Sequence, residues 1–217
     1  QIESLDADAV PSDGDSALLA RAGKLVGEAV PAAARRVLDL GVGSGGDFRF
    51  LLEAAREWPS PLDVVAVDPN TFTWAVAEQQ ARQVGLQPGP EAPSGVGKVT
   101  FVPDIAGVAS GSVAMVMGRR VLCSVDDPAA VVREVHRVLC PGGVFVFVEH
   151  VAAREGSLLR PIQRLWKPAQ QAFANGCDPT RDALAAIRGA CDWTALEAEP
   201  WELEFAGPLS PHIRGLA

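Results

Sequence analysis

An α/β fold built on a doubly wound, mostly parallel sheet with helices on both faces is predicted by three features of the chain. Short apolar runs alternate with segments of helical periodicity from residue 17 to residue 148. The runs are short and predominantly apolar, as strands covered on both faces are. The first run passes directly into a glycine-rich turn that opens a helix, the place where open α/β sheets receive ligands.

The elements follow in order. Residues 1–36 read as a helical lead-in, and residues 17–30 place Leu18, Ala22, Leu25, Val26 and Ala29 on one helix face. Residues 37–40, 64–67, 99–102, 113–117 and 144–148 read as strands, and residues 48–56, 72–84 and 128–139 as helices. The last helix opens with Pro128 after Asp126 and Asp127, where a missing N–H costs nothing. Residues 87–97, "QPGPEAPSGVG", read as a Pro/Gly surface loop. Beyond Glu149, Leu158, Ile162, Leu165, Trp166, Ala169 and Phe173 recur at helical spacing with Pro168 as a kink, predicting a helical cap. A second helix over residues 181–190 leads to "WTALEAEPWELEF", residues 193–205, read as one or two antiparallel edge strands. The expectation is one domain, 1–217, with a core over 37–150, a cap and edge over 151–217, and seven strands in all.

Composition excludes several classes. With 217 residues, 48% hydrophobic and 21% charged, the chain can bury a sizeable core. A net charge of −8 argues against a nucleic-acid surface, and the pairs Arg35-Arg36 and Arg119-Arg120 form no basic stripe. Cys123, Cys140, Cys177 and Cys191 show no CxxC spacing, so neither a metal site nor a disulfide framework is expected, and a reducing, cytoplasmic setting fits. No apolar run approaches the ~18–20 residues that cross a bilayer. Membrane contact is expected only through a segment N-terminal to this sequence.

The motif at residues 37–52, "VLDLGVGSGGDFRFLL", sets four glycines in six positions at the end of the first strand. Glycine lets a ligand approach the main chain, and Gly41, Gly43 and Gly46 alone fit a dinucleotide equally well. Asp39 favours another ligand: a carboxylate two residues before the turn repels a pyrophosphate and attracts ammonium and sulfonium charges, which points to S-adenosylmethionine. Asp68, ending the second strand in "VVAVDPN", can accept from both ribose hydroxyls. Asp104, in "FVPDI", can accept from the adenine amino group while Ile105 packs on the ring.

The segment "VVREVHRVLCPGGVFVFVEHV", residues 131–151, resembles the class I S-adenosylmethionine-dependent methyltransferases, Rossmann-like enzymes whose helix before the fifth strand ends in L-x-P-G-G. The blocks "VLCSV", "REVHRVLCPGG", "FVEHVAA", "GCDPTR" and "PHIRG" extend the likeness to the methyltransferase-like alkyl thiol methyltransferases. By this resemblance Asp39, Gly41, Gly43 and Gly45 would line the methionine end of the cofactor and Asp68 the ribose, with Pro69 and Asn70 also against the cofactor. Asp104 and Ile105 would meet the adenine, while Val121 and Leu122 would wall the methyl-transfer pocket. The resemblance also implies a small-molecule thiol acceptor and attachment to the cytosolic face of endoplasmic reticulum or lipid droplet membranes. Gly118-Arg119-Arg120 and Ala114 depart from the pattern, and Arg119 would favour an acceptor with a carboxylate.

Methyl transfer is an in-line displacement that needs positioning more than acid–base power. His150 and His212 are the candidate bases, with Asp178 and Arg181 as orienting groups and Trp166 and Phe173 as candidate substrate walls. His136 reads as surface and Cys123 as a small buried hydrophobe. Other readings are O- or C-methylation, a methyltransferase-like protein without turnover, and an NAD-dependent oxidoreductase.

Overall fold

The computed structural model describes residues 13–58, 61–203 and 206–217. The first twelve residues of the expected lead-in, and Glu204 and Phe205 of the expected edge, lie outside the described residues. Among the described residues eight strands, β1 (Arg36–Leu40), β2 (Asp63–Val67), β3 (Gln87–Pro88), β4 (Lys98–Val102), β5 (Val113–Arg119), β6 (Leu139–His150), β7 (Glu197–Glu202) and β8 (Pro211–Leu216), take the order β3-β4-β2-β1-β5-β6-β8-β7. The helices described with them are α1 (Asp13–Ala29), α2 (Phe48–Ala54), α3 (Trp74–Gln83), α4 (Pro128–Val138), α5 (Leu159–Phe173) and α6 (Ala183–Ala190). Strand order reverses beside β1, and ligands of open α/β sheets bind at the carboxyl ends of strands at such a reversal. Among the described residues no helix is long and apolar enough to cross a membrane.

The chain divides into two compact units, one comprising the described residues up to Met117 with Arg137–Phe145, the other Gly118–His136 with Val146–Ala217. In the first, β1, β2 and β4 pair in parallel with Val37, Val64 and Val99 buried in register. Arg36 donates twice to Asp63 Oδ2, at 3.1 and 2.9 Å, and so joins the first residues of β1 and β2. Helix α1 approaches α2 at Gly23, where a Cβ would stand 1.8 Å from the Ala54 carbonyl oxygen. The Trp58 indole donates to Gly23 O at 3.0 Å, and Arg35 donates to Val30 O and Gly27 O at the end of α1.

The expected loop at 87–97 begins with a strand. Gln87 and Pro88 pair in parallel with Lys98 and Val99, which raises the count from seven strands to eight. Proline lacks the ladder N–H and therefore disguises a strand, but an edge position tolerates it.

In the second unit β8 runs antiparallel to β6, with Glu149 opposite Ile213 and His150 opposite His212, and β7 runs antiparallel to β8. The strand beside β6 is thus "PHIRGL"; the segment expected as edge supplies β7 outside it. Helix α4 begins at Pro128 as expected and buries Val132 and Val135. Helix α5 also forms where expected, but its buried residue is Gln163. Gln163 accepts from Ala153 N at 2.7 Å and donates to Val151 O and Pro208 O, while Ile162, Leu165, Trp166 and Phe173 are exposed.

Candidate active site

In the first unit the glycine turn is held to the end of β2. Gly41 N and Val42 N both donate to Val67 O, at 2.8 and 3.1 Å. Asp68, next in the chain, accepts from Gly43 N through Oδ2 and from Asn70 N through Oδ1, each at 2.8 Å. One carboxylate thereby fixes the turn before it and the turn after it, and each oxygen keeps a further lone pair for a hydroxyl donor. The Trp74 indole donates to Asp68 O at 3.2 Å, and its ring lies against Phe101.

The glycines divide the work. At Gly43, φ is +51° and a Cβ would meet only Gly41 O at 3.9 Å, so the main chain there is open to a ligand. At Gly45, φ is +84° and a Cβ would lie 2.8 Å from the Phe48 ring, so α2 needs glycine at that position for its own packing. Asp39 is buried within β1, opposite Ala66. Asp104 accepts from Ala106 N at 2.9 Å and stays exposed at the head of a short turn, with Ile105 buried behind it. Arg137 donates to Ile105 O and Val108 O, fastening that turn.

In the second unit the chain leaves β5 through half-buried Arg119 and through Arg120, whose φ of +59° is unusual for a side-chain-bearing residue. Three successive N–H groups then converge on Glu149. Val121 N and Leu122 N donate to Oε1 at 2.9 Å each, and Cys123 N donates to Oε2 at 3.4 Å. Burial pushes the Glu149 carboxyl up to about 8 even though these N–H groups oppose the shift. Glu149 is absent from the residues the sequence marks for the site. Its signal was a charge inside the apolar run "VFVFVEHV".

Beside that turn lie Cys123, His150 and Cys177, all buried, with one ligand-type atom of each within 4.8 Å of the others. His150 Nδ1 stands 3.3 Å from Cys177 Sγ. The Cys123–Cys177 hydrogen bond raises the Cys123 thiol and lowers the Cys177 thiol from its usual value, helped by His150 and opposed by burial. The His150 and His212 rings meet edge to face at 4.5 Å, and Trp201 covers His212 at 4.7 Å. His212 Nδ1 donates to Ser210 O at 2.9 Å.

A match to the family described as Methyltransferase domain runs over residues 15–197. The chain belongs to the methyltransferase domain family. This methyltransferase is 33% identical over 185 residues to thiol S-methyltransferase TMT1B of Homo sapiens, covering 83% of this chain and 69% of that protein. It is 32% identical over 198 residues to thiol S-methyltransferase TMT1A of Homo sapiens, covering 86% and 72%. Its fold is that of the Haemonchus contortus phosphoethanolamine N-methyltransferase 2 solved with S-adenosyl-L-methionine, with a TM-score of 0.65, 18% identity, and coverage of 94% of this chain and 52% of that one.

The remaining expected site residues of the methyltransferase divide between the two units. Asp39, Gly41, Gly43, Gly45, Asp68, Pro69, Asn70, Asp104 and Ile105 fall in the first, and Arg119, Val121, Leu122, His150, Trp166, Phe173, Asp178, Arg181 and His212 in the second. Asp178 N donates to Cys123 O at 2.8 Å, and the Asp178 carboxylate pairs with Lys167 at 2.6 Å and accepts from Thr180. Arg181 donates to Leu122 O at 3.0 Å and to Val125 O. The Asp178 main chain and the Arg181 side chain therefore tie the 177–181 loop to the turn after β5, while the Asp178 carboxylate ties it to α5 through Lys167. Phe173 is 91% exposed and Trp166 48% exposed, and the Trp166 indole donates to Gln170 of the same helix.

Proposed function

We propose that this methyltransferase moves a methyl group from S-adenosylmethionine to the sulfur of a small thiol. The donor fits the first unit on one observation: Gly43 presents bare main chain while its N–H is fixed by Asp68, a carboxylate able to take ribose hydroxyls as well. Asp68 and Asn70 would hold the ribose, Asp39, Gly41 and Gly43 the methionine end, and Asp104 with Ile105 the adenine. When bound, the donor supplies an electrophilic methyl group on a sulfonium.

The chain's own contribution is to bind, orient and keep water out. Leu122 and Cys123, at 1% exposure each, line a dry turn held by Glu149. A thiol of pKa near ~8.5 is already partly thiolate at neutral pH, so little proton chemistry is asked of the protein. The acceptor class rests on the likeness to the two human proteins named thiol S-methyltransferases. The free thiols fit a reducing setting, in the cytoplasm or on the cytosolic face of an intracellular membrane.

The test is an acceptor panel with methyl-labelled donor and purified protein. Label should pass to thiols in preference to phenols, amines and carboxylates. Transfer to a phenol or amine with none to any thiol overturns the acceptor; donor binding without any transfer supports a protein that binds but does not turn over.

A further inference from the structure

The spacing of the cysteines gave no metal motif, yet folding gathers two of them with a histidine. Cys123 comes from the turn after β5, His150 from the end of β6 and Cys177 from the loop after α5. We propose that Cys123, His150 and Cys177 form a binding site for one borderline-soft divalent cation of the zinc class, with three protein ligands and a fourth position taken by water or an outside thiol.

The ligand set suits such an ion. Bond lengths of about 2.3 Å to sulfur and 2.0 Å to nitrogen in a tetrahedron place sulfur and nitrogen roughly 3.5 Å apart. His150 Nδ1 and Cys177 Sγ stand at 3.3 Å, and all three ligand atoms lie within 4.8 Å. Small side-chain adjustments would close the set. Two thiolates and a neutral imidazole also balance a 2+ ion, so the bound site carries no net charge, which suits a place where the three residues are 1%, 7% and 4% exposed.

The scaffold around the trio is stiff. Glu149 holds the Cys123 turn through three N–H groups, and Asp178 N joins the Cys177 loop to Cys123 O. The His212 ring, fixed by Ser210 O, backs the imidazole of His150. Ligands set on such supports lose little freedom when the ion binds.

Cobalt(II) titration of the reduced, chelator-treated protein tests it. The expected result is one cobalt per chain with an intense thiolate-to-cobalt charge-transfer band, bleached by one equivalent of zinc. Cys177→Ser and His150→Ala should each weaken zinc binding by at least about 100-fold, since loss even of a ligand's outer partner costs roughly 10- to 100-fold. Cys191→Ser should bind as the parent does, because its Sγ points to Val132 O away from the trio. Absence of the charge-transfer band in the wild-type protein overturns the proposal without reference to any variant. A band that persists in both Cys177→Ser and His150→Ala also overturns it.

Discussion

At the scale of the residue, Asp68 carries more than the sequence suggested. Its position at a strand end makes it a ribose acceptor by reading, and the structure adds that it accepts from Gly43 N and Asn70 N. Asp68→Ala should therefore remove a charged acceptor and loosen the glycine turn together. The expected loss in S-adenosylmethionine affinity is on the order of 1.5–3 kcal/mol, roughly 10- to 150-fold, read by calorimetric titration. An affinity within error of wild type would contradict the assignment. Glu149 shows the opposite case. Nothing in its neighbours along the chain marks it as the acceptor for three N–H groups, because those groups lie 26 to 28 residues away.

At the scale of the element, periodicity found the helices and misjudged one of their faces. The spacing of Ile162, Leu165, Trp166 and Phe173 predicts α5, but what faces inward is Gln163, which meets three backbone groups. A polar side chain with every partner satisfied can be buried where an apolar one would orphan those groups. The contact of α1 with α2 is set by an absence: Gly23 leaves room for the Ala54 carbonyl. Gly23→Ala improves helix propensity by about 1 kcal/mol but forces the two helices apart, and overpacking of this kind costs ~1–3 kcal/mol or more. The net expectation is a lower midpoint of chemical unfolding with unchanged slope; a raised midpoint would show that the helices separate freely.

At the scale of the whole molecule, donor binding should be visible as stability. S-adenosylmethionine at about 100 times its dissociation constant contributes about 2.7 kcal/mol, which for a chain of this size raises the melting temperature by roughly 5–10 °C. NAD should give no shift, and a shift with NAD alone would restore the dinucleotide reading of the glycines. By itself the sequence determined the alternation of strands and helices, the bare turn after β1 and the carboxylates Asp39, Asp68 and Asp104 at successive strand ends. These depend on periodicity and on backbone freedom, which act between near neighbours. Only the tertiary structure decided that "PHIRGL" lies beside β6, that Glu149 serves the turn after β5, and that Cys123, His150 and Cys177 share one buried place. Such encounters depend on strand order and on which loop returns to which edge, and no local pattern encodes a meeting between side chains 27 residues apart.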